Sequence, residues 1–389
     1  MISVSKLLCG AAGPGDSLRY GGKHQASGIQ RPIIVWNCTR KCNLRCVHCY
    51  GSATVKDPAD ILTTEQSKSF IRDLADFGVP VILFSGGEPL LRRDIFELAR
   101  FARELGLRTA LSTNGTLITD KTAAKIKNAA FSEVGISLDG IGTNNDRFRG
   151  KKGAYEEALR GIRNSISSGL RVSLRLTTTP SNYMEIPAIF DLVEREGVDR
   201  VCFYHLAYVG RASGSAKDDL NHSQTRAAVD LICDRTVDLY RRGLNKEVLT
   251  VDNHADGIYL YLKLKKQNPA QAEKALALLR ANGGNNSGIR IGAVDELGNV
   301  HADQFWRHYS FGNIRQRKFG DIWLDTSDPL MRGLKNRKKL LKGRCAECRY
   351  VEICNGNLRV RAETVFGDVW AEDPACYLTD DEIGLAHET

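Results

Sequence analysis

Short apolar runs alternate with longer amphipathic stretches from residue 32 onward. The runs at 33–36, 81–84, 109–112, 134–138, 172–177 and 201–205 are rich in Val, Ile, Leu and Phe and read as strands. Between them the apolar positions recur at helical spacing. Thr63-Thr-Glu-Gln66 has the spacing of a capping box, and the run it opens extends to Phe77 and stops at Gly78. Helices are predicted likewise over 94–105, 119–130, 154–168, 183–196 and 223–242. Six strand–helix units predict parallel strands with right-handed crossovers. The expected fold is α/β, a partial (β/α)6 barrel with its functional groups at the C-terminal strand ends.

Regularity fades after about residue 245. A helical stretch over 259–281 is interrupted at Asn268-Pro269, and Asn282-Gly-Gly-Asn-Asn-Ser-Gly288 reads as a loop. Runs 289–294 and 299–305 flank Asp295-Glu-Leu-Gly298 and predict a hairpin. The expected organisation is an irregular extension (1–31), a barrel (32–245), a connector (246–285) and a small C-terminal domain (286–389).

A chain of 389 residues accommodates such a pair of domains. The net charge of +9 leaves nucleic acid, a membrane surface, a polycarboxylate ligand and plain solubility charge all open. Cysteine usage is more informative. Eleven cysteines, an odd number gathered in two places, point to metal ligation in a reducing compartment rather than a disulfide framework. The start, Met1-Ile-Ser-Val-Ser-Lys-Leu-Leu-Cys9, has no signal-peptide h-region, and no run is long enough to span a bilayer. A cytoplasmic chain with no membrane partner is expected.

The first cysteine group follows strand one: Cys38-Thr-Arg-Lys-Cys42-Asn-Leu-Arg-Cys46-Val-His-Cys49-Tyr50. Cys42, Cys46 and Cys49 are spaced C-x3-C-x2-C, which lets three thiolates converge on a soft centre. In a four-iron cluster three ligands leave one iron open for a small molecule. Zinc favours paired C-x2-C units, and only one unit occurs here. Cys38 fits neither pattern and reads as a neighbouring buried thiol. Strand two ends in Ser85-Gly86-Gly87-Glu88-Pro89, strand three in Ser112-Thr-Asn114-Gly115 and strand four in Ser137-Leu-Asp139-Gly140. The second group, Cys345-x2-Cys348-x5-Cys354 followed by Cys376, can fully ligate either a cluster or a zinc ion.

The first group, with Tyr50 after its last cysteine, resembles the cluster motif of radical S-adenosylmethionine (SAM) enzymes. The resemblance implies a [4Fe-4S] cluster on Cys42, Cys46 and Cys49 whose open iron holds SAM and splits it reductively to a 5′-deoxyadenosyl radical. It implies that Gly86, Gly87, Glu88 and Pro89 hold the SAM amino group. Ser112, Asn114, Ser137 and Asp139 would make ribose or carboxylate contacts. Arg175 would pair with the SAM carboxylate, an ordinary salt bridge being the alternative. The second group resembles the SPASM or twitch extension of such enzymes, which implies an auxiliary [4Fe-4S] cluster on Cys345, Cys348, Cys354 and Cys376. Asp303 and Leu358 stand where a full SPASM pattern has cysteine, so one auxiliary site reads as lost.

Leu83-Phe-Ser-Gly-Gly-Glu-Pro-Leu-Leu-Arg92, Tyr204-His-Leu-Ala-Tyr-Val-Gly-Arg211, Asp252-Asn-His-Ala-Asp-Gly257 and Ile353-Cys-Asn-Gly-Asn-Leu-Arg-Val-Arg361 narrow this further. They resemble the radical SAM proteins of sirohaem-derived haem pathways over nearly the whole chain. Two branches share 12,18-didecarboxysirohaem as substrate. One removes acetate arms to give Fe-coproporphyrin III, and the other removes propionate arms on the way to haem d1. The opening Ser-Lys-Leu-Leu-Cys-Gly and Ser-Leu-Arg-Tyr look more like the acetate-removing branch. A ferredoxin or flavodoxin would supply electrons.

The carboxylates of such a substrate would meet arginine, with Arg211, Arg290, Arg307, Arg359 and Arg361 as candidates. The basic run from Lys335 to Arg344 reads as a solvated helix face. His205, at the end of strand six, is the candidate catalytic residue, to ligate the substrate iron or move a proton. His254, His301 and His308 read as structural. A peptide-modifying SPASM maturase and a non-catalytic metal–thiolate protein that binds nucleic acid are the rival readings.

Overall fold

A computed structural model describes residues 1–21 and 31–385, so residues 22–30 of the expected extension and 386–389 of the expected C-terminal domain lie outside it. The strands are β1 (Ile2–Ser3), β2 (Ile33–Asn37), β3 (Val81–Ser85), β4 (Arg108–Thr113), β5 (Val134–Ser137), β6 (Val172–Thr177), β7 (Arg200–Tyr204), β8 (Glu247–Val251), β9 (Ile291–Val294) and β10 (Val300–His301). They form one sheet in the order β1-β8-β7-β6-β5-β4-β3-β2-β9-β10. From β2 to β8 every neighbouring pair is parallel, and the sheet is a partial barrel.

Six of these strands are the six that the apolar runs predict. The capping box at Thr63 and Gln66 forms as expected, and the helix Thr64–Phe77 buries Phe70, Ile71 and Leu74. Phe70 packs edge-on against Trp36 of β2, with ring centroids 5.5 Å apart. The helical stretch interrupted at Asn268-Pro269 is two helices, Ala255–Gln267 and Pro269–Asn282, with Asn268 capping the second.

Two features depart from the expectations. A seventh parallel strand, β8, continues the barrel beyond residue 245, where the pattern fades. It opens on a buried acid: Glu247 meets Arg200 (2.7 Å), Arg171 (2.8 Å) and Arg19 at the N-terminal strand ends. The start of the chain is also ordered. β1 pairs antiparallel with β8, and the helix Val4–Cys9 follows it. At the other edge, the predicted hairpin extends the same sheet, with β9 parallel to β2 and β10 antiparallel to β9.

Candidate active site and cysteine cavities

The loops after β2 to β8 enclose a cavity of ≈ 210 Å³. Cys42, Cys46, Cys49, Tyr50, Gly86, Gly87, Ser112, Asn114, Ser137, Asp139, Arg175 and His205 all line it. Glu88 and Pro89 do not.

The cysteine loop is held on two sides. Against the turn after β3, Gly87 N donates to Thr39 O (2.8 Å) and Glu88 N to Lys41 O (2.7 Å). A Cβ on Gly86 or Gly87 would stand 2.3 Å from Thr39 O or 2.2 Å from Lys41 O. The glycines therefore admit the backbone of the cysteine loop, and both also line the cavity. On the other side, the segment after β7 closes over the loop. Arg211 N donates to Cys49 O (3.0 Å), Arg211 Nε to Cys46 O (2.7 Å) and Arg211 Nη1 to Ala53 O (2.9 Å).

The thiols have donors of their own. Leu44 N lies 3.4 Å from Cys42 Sγ, Ala53 N 3.5 Å from Cys49 Sγ and Arg149 Nη1 3.6 Å from Cys46 Sγ. Such donors favour a thiolate and tune a cluster that it holds. Burial pushes the Cys42 thiol up to about 11. Cys38 is different. It is fully buried and donates to Ser85 O (3.2 Å), and burial pushes its thiol up to about 12. It is a neutral core thiol.

Glu88 departs from the expectation. Its carboxylate is fully buried and accepts from Leu90 N (3.0 Å), the Thr113 hydroxyl (2.8 Å) and Asn114 N (2.8 Å). The side chain ties the β3 turn to the end of β4 and does not reach the cavity to receive an ammonium group. Tyr50 donates to Asn37 Oδ1 (3.0 Å) and lies 3.2 Å from Ser85 Oγ. Asp139 accepts from Thr177 N (2.6 Å) and pairs with Arg149, with His48 Nε2 at 3.5 Å. Arg175 donates to Ser112 Oγ (2.7 Å) and has no ion pair among the described residues, so the salt-bridge alternative is not realised. Arg149 is the functional candidate that the sequence did not reveal. It touches a cluster-motif thiol, yet nothing in Asp146-Arg-Phe-Arg149-Gly150 marks it out.

Of the arginines considered for the substrate, Arg211 alone lines the cavity. Arg307 is bound to both Glu296 oxygens (2.9 Å each) and Arg290 to Leu18 O (2.5 Å). Arg359 is buried against Val369 O and Ala371 O. Arg361 forms a fully buried pair with Asp373 (2.9 Å) and also holds Leu206 O (3.0 Å) and Asp252 O (2.7 Å). Within the basic run, Arg337 is buried against Asn285 and Leu334, contrary to a solvated face. His254, His301 and His308 bond to Asn357, Tyr309 O and Glu363 respectively. His205 Nε2 lies 2.9 Å from Asp256 Oδ2.

The second cysteine group converges too. Cys345, Cys348, Cys354 and Cys376 line one small cavity of ≈ 30 Å³. Tyr350 N lies 3.4 Å from Cys348 Sγ. Around Asp303 and Leu358 no thiols gather. Asp303 accepts from the Ser287 hydroxyl and from Phe305 N (2.8 Å), and Leu358 packs with Ala302, Trp306 and Leu334. Among the described residues, no three His, Cys, Asp or Glu side chains surround a point closely enough for a single metal ion. Each thiol set lines a cavity. All eleven cysteines are free of disulfides. No helix among the described residues is long and apolar enough to cross a membrane.

The Radical SAM superfamily pattern matches residues 36–193. Fe-coproporphyrin III synthase of Methanosarcina barkeri is 55% identical over 395 residues, which span 99% of this chain and 99% of that protein. Pre-heme d1 synthase of Dinoroseobacter shibae is 43% identical over 364 residues, spanning 93% of this chain and 90% of that protein. In fold, the chain is similar to Streptococcus suis SuiB bound to S-adenosylmethionine, with a TM-score of 0.70, 19% identity and coverage of 90% and 78%. The chain belongs to the radical SAM superfamily, among the relatives of Fe-coproporphyrin III synthase.

Proposed function

We propose that the chain removes the two acetate arms of 12,18-didecarboxysirohaem to give Fe-coproporphyrin III. The observation that carries this is identity over essentially the whole chain. It is 55% to Fe-coproporphyrin III synthase against 43% to pre-heme d1 synthase. A radical SAM protein works with one [4Fe-4S] cluster and SAM, and Cys42, Cys46 and Cys49 are the residues to hold that cluster. Bound there, the cluster would supply one electron for the reductive cleavage of SAM.

The chain's own residues bind, orient and shield. Arg175 and Arg211 are guanidiniums in the cavity with no ion pair among the described residues, and a carboxylate of SAM or of the tetrapyrrole would answer them. Ser112, Asn114, Ser137 and Tyr50 offer polar groups along the same wall. The enclosing loops keep the radical from water and free thiols. Cys345, Cys348, Cys354 and Cys376 would hold an auxiliary [4Fe-4S] cluster, which would supply electron transfer. A ferredoxin or flavodoxin is the class of donor that would reduce the enzyme. His205 is the catalytic side chain.

Anaerobic incubation with didecarboxysirohaem, SAM and a reductant tests the reading. The tetrapyrrole should acquire the mass of Fe-coproporphyrin III while deoxyadenosine accumulates. Deoxyadenosine formed without any change in tetrapyrrole mass contradicts it, and loss of propionate arms favours the haem d1 branch.

A further inference from the structure

His205 stands in the wall between two cavities. One is the cysteine cavity, and the other is a cleft of ≈ 640 Å³ lined by Tyr208, Asp219, Asn221, His222 and Asn253 among others. The ring is fixed from behind. Its Nε2 lies 2.9 Å from Asp256 Oδ2, so Nε2–H donates to the carboxylate. The other oxygen of Asp256 accepts from the Tyr377 hydroxyl at 2.8 Å. Asp256 is 0% exposed and Tyr377 1% exposed. The second ring nitrogen, Nδ1, makes no hydrogen bond among the described residues. Three side chains far apart in sequence thus form one hydrogen-bonded unit, and its His205 end lines both cavities.

We propose that His205, oriented by Asp256 and Tyr377, gives a proton from Nδ1 to the arm that leaves the macrocycle and is reprotonated from water in the second cleft. The inference rests on the acetate-removal reading above. Loss of an acetate arm begins with removal of a hydrogen atom from the macrocycle. The carbon–carbon bond to the arm then breaks homolytically, and the macrocycle closes a double bond. The released carboxymethyl fragment needs one electron and one proton to depart as acetate. A one-electron reductant of the iron–sulfur or flavin class supplies the electron, and His205 Nδ1–H supplies the proton. The imidazole is left neutral and takes its next proton from solvent.

Charge around the ring agrees with that task. Burial opposes a charged imidazole, but the Asp256 carboxylate outweighs it and the His205 pKa is raised. Asp219 acts in the same sense and Arg361 against it. Tyr204, Tyr208 and Asp252 line the same cavity. Asp256 is not the donor, because it sits behind the ring with both oxygens engaged. Asp252 is the real competitor. It lines the cavity, and burial pushes its carboxyl up to about 6.

The reconstituted enzyme, given didecarboxysirohaem, SAM and reductant across a pH range, decides between them. Wild-type product formation should fall as pH rises through the His205 pKa. Asp256→Asn removes the charge that favours the protonated ring, so the same limb should move to lower pH. His205→Gln should still form tetrapyrrole-dependent deoxyadenosine, with product per deoxyadenosine reduced about 100-fold. Tyr377→Phe removes a donor from the Asp256 carboxylate and leaves it a stronger partner for the protonated ring, so the limb should move slightly to higher pH. A limb unmoved in Asp256→Asn, or normal coupling in His205→Gln, overturns the proposal. So does a coupling defect found in Asp252→Asn and absent from His205→Gln. A shifted visible spectrum of the bound iron tetrapyrrole in His205→Gln assigns the ring to the iron and also overturns it. Wild-type enzyme that makes no tetrapyrrole-dependent deoxyadenosine removes the substrate reading itself, which is distinct from wild-type turnover with unaltered variants.

Discussion

Gly87→Ala is a test of how the active-site loop is held. The added Cβ would lie 2.2 Å from Lys41 O and 2.7 Å from Arg40 O, both backbone atoms. Relief to an ordinary contact separates the two loops by roughly 1 Å or more. That separation breaks the bonds from Gly87 N to Thr39 O and from Glu88 N to Lys41 O. Two orphaned backbone pairs cost about 2–6 kcal/mol. A domain of this kind is stable by about 5–15 kcal/mol, so the chain should stay folded while the loop bearing Cys42 shifts. The second thiol set lies elsewhere and should be untouched. Iron and sulfide counts on anaerobically reconstituted protein should therefore fall by about half, and SAM cleavage should be lost. Gly51→Ala is the control: it lies in the same loop, and its Cβ would meet nothing within 4 Å. Full iron content and normal SAM cleavage in Gly87→Ala would refute the reasoning.

Three further outcomes are expected. Asp373→Asn leaves Arg361 buried without its partner, so denaturant unfolding should show a loss of about 3–5 kcal/mol, and a loss below about 1 kcal/mol contradicts that role. Arg211→Lys gives up at least one of the bonds to Cys46 O and Ala53 O, each worth about 1.5–3 kcal/mol. Its Cys42-set iron should pass to a chelator faster than in wild type. Cys348→Ala should lose the iron of the second set and still cleave SAM without yielding the tetrapyrrole product; unchanged iron content argues against an auxiliary cluster.

The sequence made some parts of the molecule plain for physical reasons. β2 to β7 are apolar runs bounded by glycine and polar turns, and Cys42, Cys46 and Cys49 are local in sequence, so pattern alone reveals them. β8 escaped because it opens on Glu247, a charge that only distant Arg19, Arg171 and Arg200 make tolerable in a buried strand. The packing of Gly86 and Gly87 against Thr39 and Lys41 is not legible in the sequence, since nothing local shows that a neighbouring loop occupies the space. The burial of Glu88 against Thr113 and Asn114 is hidden for the same reason. Arg149 against Cys46, and Tyr377 with Asp256 behind His205, arise from residues brought together by crossovers. No spacing rule anticipates them.

The rival readings part at these same points. Membership of the radical SAM superfamily and the alignment of His205, Arg175 and the cysteine loop on one cavity favour an enzyme.

Which arm leaves the macrocycle is reported directly by the released acid. Enzyme turned over on 12,18-didecarboxysirohaem should release two equivalents of acetate per macrocycle converted. Release of a three-carbon acid, or of no acid at all while SAM is consumed, would contradict the account.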